Sequence, residues 1–233
     1  MIKSGSGATP ETQNRPRPWM IDAFCGAGGA TKGYQRAGFY VVGVDEAPQP
    51  NYCGDEFVQG DALAFIAGHG ADADAGHGSP PCHDHSALSA LTGADDTGWL
   101  LAATRDALER TGKPWVMENV QGAAMARGLV LCGDMFGLDV QRHRYFELGG
   151  WLALQPPHGK HRGRVAGYRH GEWFDGPYFA VYGDGGGKGT LAQWRSAMGI
   201  DWMDKAELAQ AIPPAYAQFI GEQLLGHLRS VAA

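Results

Sequence analysis

From Trp19 to Leu148 short apolar runs alternate with stretches of helical character. The runs Trp19 to Phe24, Tyr40 to Val44, Phe57 to Gln59, a weaker Ala73 to His77, Trp115 to Met117, Leu129 to Cys132 and Tyr145 to Leu148 have the length and bounding residues of strands. Gly98 to Thr111 instead puts Leu100, Leu101, Thr104 and Leu108 on one side, the spacing of a crossover helix. Strand, helix, strand in this rhythm predicts an α/β domain with a mostly parallel, doubly wound sheet. After Leu148 the rhythm breaks into Gly-, Pro-, His- and Trp-rich sequence up to about Gly189, which predicts an irregular insert. Helical spacing then returns, with Tyr216, Ile220, Leu224 and Leu228 forming a stripe behind Pro213-Pro214. Four segments are expected: a disordered polar leader over 1–18, a main domain over 19–148, a small insert over 149–200, and a C-terminal helical segment over 201–233 that packs back on the main domain.

A chain of 233 residues and 24.8 kDa suits one such domain with a small accessory lobe. The four cysteines, Cys25, Cys53, Cys82 and Cys132, lie far apart with no CxxC pair, and no apolar run reaches the roughly 18 residues of a membrane span. A soluble protein of a reducing cytosol is expected, without a membrane partner. The formal net charge of −6 argues against a general polyanion binder. Yet Gln141 to His170 carries six basic residues, Arg142, Arg144, Lys160, Arg162, Arg164 and Arg169, against the single acid Glu147, with four histidines among them. Such a stretch suits a phosphate-facing surface.

Three motifs carry chemistry. Asp22-Ala-Phe-Cys-Gly-Ala-Gly-Gly29 follows the first predicted strand, where Gly26, Gly28 and Gly29 permit a tight turn and close approach of a ligand to the backbone. Such a loop alone serves NAD, FAD, S-adenosylmethionine or no ligand. Asp45 ends the second strand, about 20 residues on, where a ribose diol would be gripped. Asp61, within Gln59-Gly-Asp-Ala62, ends the third, where an adenine edge could be read. In Ser79-Pro-Pro-Cys-His83, Cys82 sits at a strand's carboxyl end, where backbone donors can stabilise a thiolate nucleophile. Glu118, in Met117-Glu-Asn-Val120, falls at the end of the next strand and faces the same cleft. A thiolate and a carboxylic acid together suit addition to an electron-poor ring, sulfur bonding to carbon while the acid serves a ring nitrogen. Cys25, Cys53 and Cys132 read as inert packing residues.

With these motifs in this order, the chain resembles the DNA cytosine-5 methyltransferase family, as a minimal member of phage or bacterial type. The resemblance runs through Asp-x-Phe-x-Gly-x-Gly-Gly, Ala37-Gly38-Phe39, Val44-Asp45, Gly60-Asp61, Pro-Pro-Cys, Glu-Asn-Val, Arg142-His-Arg144 and Gln210-Ala-Ile-Pro-Pro-Ala-Tyr216. It implies a Rossmann-like methyltransferase fold, S-adenosylmethionine as donor and a flipped-out cytosine in DNA as acceptor. It further implies that Cys82 attacks carbon 6, that Glu118 engages ring nitrogen 3 and the exocyclic amine, and that Arg144 with Arg142 holds the ring carbonyl and adjacent groups. Phe24, Ala27, Asp45, Glu46, Asp61, Pro81 and Leu100 stand at positions that line the cofactor in the family, beside Gly26, Gly28, Gly29 and Ala62 of the two loops. A monomer in the cytoplasm of a bacterium or a phage-infected cell is expected.

The departures carry information as well. His83 follows Cys82 where the family shows Gln, and Asp84-His85 comes next, so His83 and His85 are expected to meet the nucleic acid in their own way. Gln141 stands one place late in the arginine motif, and Ala209-Gln210-Ala211 replaces the family's Gly-Asn-Ser. His77, His83, Asp84 and His85 are not expected to bind metal, because adjacent ligands on one loop rarely wrap one ion. Gly183-Asp-Gly-Gly-Gly-Lys-Gly-Thr190 lacks the Ser or Thr that should follow a phosphate-loop lysine. Only about 54 residues separate Leu148 from Met203, so a short or relaxed recognition site is expected, read by an insert in which Lys160, Arg162, Arg164 and Arg169 face nucleic acid. The alternatives are an RNA (tRNA) cytosine-5 methyltransferase, a catalytically silent homologue that binds cofactor and DNA, and a nicotinamide oxidoreductase. The last has no hydride partner to account for Pro-Pro-Cys or Glu-Asn-Val.

Overall fold

A computed structural model describes residues 17–81, 99–126, 128–182 and 189–232. Seven strands form one sheet: β1 (Trp19–Ala23), β2 (Tyr40–Asp45), β3 (Glu56–Gln59), β4 (Ala75–Gly78), β5 (Trp115–Asn119), β6 (Leu129–Leu131) and β7 (Arg144–Gly149), in the order β3-β2-β1-β4-β5-β7-β6. The first five run parallel, and β7 enters antiparallel between β5 and β6. Helices α1 (Gly29–Ala37), α2 (Ala62–His69) and α3 (Trp99–Arg110) follow β1, β3 and β4 in the chain. Burial on both faces explains why the central strands read as near-continuous apolar runs: every residue of β1 and β5 is buried. The strand order reverses between β1 and β4, the switch point at which open α/β sheets form a crevice at the carboxyl edge.

Every predicted strand is present, displaced by one or two residues at its ends. The useful displacement is in β5, which extends through Glu118 and Asn119, so both belong to the rigid sheet. One apolar layer packs on α1 and the C-terminal helix α6 (Pro214–Ala232), using the predicted stripe Tyr216, Ile220, Leu224 and the partly buried Leu228. The opposite layer packs on α2 and α3 around Ile66, Leu101, Leu108 and Met117. Glycines set the distance between α1 and α6. A Cβ on Gly29 would run into the Ile212 carbonyl, and one on Gly33 into the Pro214 carbonyl. The predicted irregular insert is largely so, but holds one small hairpin of β8 (Gly167–Arg169) and β9 (Glu172–Phe174). Two short helices, α4 (Leu191–Met198) and α5 (Lys205–Gln210), follow; each starts on a capping box, Thr190 with Gln193 and Asp204 with Glu207. They form a third apolar cluster around Trp194, Met198 and Ile200 that also takes in Ala27 and Val140.

Candidate functional site

The loop after β1 is held by its own backbone chemistry. Phe24 adopts φ +59° and Gly26 φ +49°, and Gly26 donates its N–H to Asp45 Oδ2 at 3.0 Å. A left-handed non-glycine residue such as Phe24 stores strain on the order of 1–3 kcal/mol, a feature concentrated at ligand sites. Asp45 also accepts from Ala47 N–H at 3.0 Å, so its two oxygens shape the loop. Glu46, next to it, is exposed, and its carboxylate meets no partner among the described residues. Asp61 caps α2 by accepting from Ala64 N–H at 2.9 Å through one oxygen, with Ala62 buried behind it. Gly60 N–H reaches the Asp45 carbonyl at 2.9 Å, which joins the ends of β2 and β3.

The three loop glycines differ in their surroundings. A Cβ on Gly26 would meet nothing within 4 Å, whereas one on Gly28 would press on Cys53 Sγ and one on Gly29 on Ile212. Gly26 therefore faces open space, while Gly28 and Gly29 face the protein's own chain and set its packing. Ala27 is buried, and its carbonyl accepts from Trp202 Nε1 at 2.9 Å. Pro81 is exposed and Leu100 is half-buried at the start of α3.

The second constellation lies on the ends of β4, β5 and β7. Glu118 is buried, and Arg144 Nε lies 2.8 Å from its Oε1. That contact is an ion pair off the line of a hydrogen bond, so Oε1 keeps an unmet acceptor site. Burial raises the Glu118 carboxyl above the ordinary glutamate range, and Arg144, His77 and Arg142 oppose the rise without cancelling it. Asn119, adjacent in the triplet, donates Nδ2–H to the Pro80 carbonyl at 3.0 Å, which ties the end of β5 to the approach to Cys82. Cys82, His83 and His85 lie outside the described residues, as does the side chain of Arg169.

Arg142 has contacts other than the expected ring contact. Its Nε, Nη1 and Nη2 donate to the carbonyls of Ala211, Val181 and Ala209 at 2.9, 2.6 and 2.7 Å. It thus joins the arginine motif to Val181 in the insert, to the last turn of α5 and to Ala211 just beyond it. Arg144 is the member of the pair that turns to Glu118; it also donates Nη1–H to the His143 carbonyl at 3.1 Å, and its Nη2 meets no partner among the described residues. In the insert, Arg162 is committed to Asp134 and Asp139 at 2.8 and 3.2 Å, which removes it from the free phosphate-facing set. Lys160 is exposed, and Arg164 is exposed with its guanidinium over Phe174 and Nε 3.3 Å from the Asp175 carbonyl.

Two groups escaped the sequence reading. His77, buried on β4, places Nδ1 2.9 Å from Asp22 Oδ1 and Nε2 3.3 Å from Ser79 Oγ, and Asp22 also accepts from the Thr31 hydroxyl. Both ring nitrogens of His77 are thus engaged among the described residues. Asp22 and His77 sit on neighbouring strands, in register in the parallel ladder, a pairing that only the strand order reveals. Cys132, His143, His158 and His161 bring their ligand-capable atoms within 4.8 Å of one another, although they are up to 29 residues apart. The short His158-x-x-His161 spacing was their only local signal. Burial pushes the Cys25 thiol well up, the Cys53 thiol to about 11 and the Cys132 thiol upward, so none of the three is an activated nucleophile.

No family model matches the chain, and no curated protein matches it. Solved structures do. A protein of an E. coli prophage, assigned as a DNA modification methyltransferase, superposes with a TM-score of 0.59 at 14% identity over 91% of this chain and 99% of its own. The S. pombe Dnmt2 methyltransferase superposes with a TM-score of 0.62 at 14% identity, again over 91% and 99%. The Entamoeba histolytica methyltransferase EhMeth gives 0.54 at 12% identity over 94% of this chain and all of that one. The expectation drawn from the motifs is met at the level of architecture: the chain has the mostly parallel, Rossmann-like fold of these methyltransferases.

Proposed function

We propose that this protein transfers a methyl group from S-adenosylmethionine to carbon 5 of a cytosine flipped out of DNA. The observation that supports it most is Glu118: a buried acid with a raised pKa and an unmet oxygen, backed by Arg144 and tied through Asn119 to the loop that leads to Cys82. A raised carboxyl pKa favours the protonated form, and a protonated carboxyl can donate a hydrogen bond to a basic ring nitrogen. The cofactor fits the opposite half of the crevice, where the open backbone at Gly26, the free carboxylate of Glu46 and Asp61 at the end of β3 gather. Glu46 and Asp61 would hold the ribose and the adenine, with Asp45 shaping the loop. Bound there, S-adenosylmethionine supplies an electrophilic methyl group.

The chain's own residues do the rest. Glu118 donates a proton or hydrogen bond to ring nitrogen 3, which withdraws electrons from carbon 6. The Cys82 thiolate adds to that carbon, and carbon 5 becomes nucleophilic. Arg144, oriented by Glu118, has Nη2–H donors available for the ring carbonyl oxygen. After methylation the proton on carbon 5 passes to a solvent base, the sulfur–carbon 6 bond breaks to restore the thiolate, and the proton on ring nitrogen 3 returns to Glu118. Asn119 and Arg142 act as positioning residues, the first on the Pro80 carbonyl and the second on the segments around the arginine motif. The test is transfer from labelled S-adenosylmethionine to duplex DNA, single-stranded DNA and tRNA, followed by nucleoside analysis. 5-Methylcytosine from duplex DNA is expected; label in tRNA alone moves the substrate to RNA, and label on an exocyclic nitrogen overturns the mechanism.

A further inference from the structure

Cys132 and His143 extend a ladder. Leu131 of β6 pairs with Arg144 of β7, so the next positions outward set Cys132 opposite His143. The insert then folds back and delivers His158 and His161 to the same place. The imidazoles of His143, His158 and His161 lie with ring centroids 4.9–5.4 Å apart, and Cys132 Sγ is 3.4 Å from His161 Nε2. Four ligand atoms on a tetrahedral zinc ion, at about 2.0–2.1 Å for nitrogen and 2.3 Å for sulfur, stand roughly 3.3–3.8 Å from one another. The Cys132–His161 pair already has that separation, and all four atoms fall within 4.8 Å. Among the described residues no hydrogen bond joins the three imidazoles, and the rings of His143 and His158 have no hydrogen-bonding partner. Nitrogen lone pairs gathered without donors between them call for a cation.

Cys132 precedes the short 3₁₀ turn Gly133–Phe136, where the Met135 N–H donates to the Cys132 carbonyl at 3.0 Å and the Cys132 N–H donates to Met135 Sδ at 3.2 Å, so the backbone that carries the sulfur is fixed. The thiol proton now rests against the Gln141 carbonyl at 2.7 Å; metal binding would release it to solvent and replace that hydrogen bond with a sulfur–metal bond. Outside the four ligands, Tyr178 packs on His161 and donates to Asp134 at 2.6 Å, while Arg162 bonds the same carboxylate, so the insert is fastened around the site.

We infer that Cys132, His143, His158 and His161 form a closed, structural zinc site that pins the insert to the β6–β7 edge of the sheet. Four protein ligands leave no open position, and one thiolate with three imidazoles in tetrahedral array selects zinc among common divalent ions. His143 lies between Arg142 and Arg144, so the ion would also fix the arginine motif. It stands apart from the methyl-transfer reading, and its test needs no substrate.

The full chain, expressed with zinc in the medium and dialysed against a weak chelator, is assayed by elemental analysis. About one zinc per chain is expected. His158→Ala, at an exposed position where folding should be unaffected, should lower the retained zinc at least tenfold, as should Cys132→Ser. Cobalt-substituted wild-type protein should show a thiolate-to-cobalt charge-transfer band with the intense visible bands of tetrahedral geometry, and a strong chelator should abolish them. Wild-type protein without stoichiometric zinc overturns the site. So does zinc that His158→Ala and Cys132→Ser retain in full, or a cobalt spectrum without the thiolate band.

Discussion

Glu118 carries a conflict that can be measured. Its carboxyl is buried, and burial holds its pKa above the ordinary glutamate value despite Arg144. A raised carboxyl pKa means that the folded protein binds the proton more tightly than the unfolded chain. Stability from this group is therefore complete below the unfolded value of about 4.3 and is lost as pH rises through the folded pKa. Glu118→Gln mimics the protonated form at every pH. Its thermal midpoint should exceed that of the wild type at pH 8, and the gain should vanish as pH falls below about 4.3. A midpoint gain that persists unchanged in acid contradicts the raised pKa. The same substitution should lower turnover by roughly 10²–10⁴-fold while cofactor binding by calorimetry persists, since removing a general acid leaves the cradle intact. The Glu-Asn-Val triplet made Glu118 legible. Asn119 and His77 were hidden, because one acts through the Pro80 carbonyl and the other through Asp22, partners 39 and 55 residues away.

At the scale of elements, the loop glycines and Arg142 separate packing from binding. Gly29→Ala would drive a methyl group into the Ile212 carbonyl where α1 meets the C-terminal segment, so it should destabilise the protein by roughly 1–3 kcal/mol, the range for overpacking. Gly26→Ala meets only open space and the strain of a left-handed φ, about 1 kcal/mol. It should instead weaken S-adenosylmethionine binding, because the added methyl group stands where the cofactor would approach. Equal loss of stability and of affinity in both variants would contradict this division. Arg142→Ala leaves the Ala211, Val181 and Ala209 carbonyls without their charged donor and should cost about 2–4 kcal/mol in denaturant unfolding. A loss below about 0.5 kcal/mol would return Arg142 to the ring-contact reading. The strands, the crossover helix and the C-terminal stripe were legible because burial on both faces, or on one, writes itself into apolar spacing. The small hairpin and the α4 helix, both inside the segment expected to be an irregular insert, were not, because Gly-rich surroundings and short length leave no period to read.

For the whole molecule, a net charge of −6 means that the proposed nucleic-acid binding would fall to a local surface. Arg162 is paired with Asp134 and Asp139, so Arg162→Ala should lower stability more than it changes salt dependence. Lys160 and Arg164 are exposed basic side chains of that stretch with no ion pair among the described residues; removing both should flatten log affinity against log salt by up to about 2 on duplex DNA. An unchanged slope would place the nucleic acid elsewhere. The mostly parallel, doubly wound sheet followed from the alternation of elements, whereas the strand order did not, and the four-residue cluster that folds the insert onto the sheet depends on contacts across the β6–β7 ladder, which no local pattern encodes. Cysteine-dependent methylation at carbon 5 is put to the test by duplex DNA carrying 5-fluorocytosine in place of cytosine. Fluorine cannot leave as a proton does, so with S-adenosylmethionine present the wild-type protein should form a denaturation-resistant covalent complex, and Cys82→Ala should form none. Methyl transfer to ordinary duplex DNA without any trapped complex, or full turnover by Cys82→Ala, would contradict attack by Cys82.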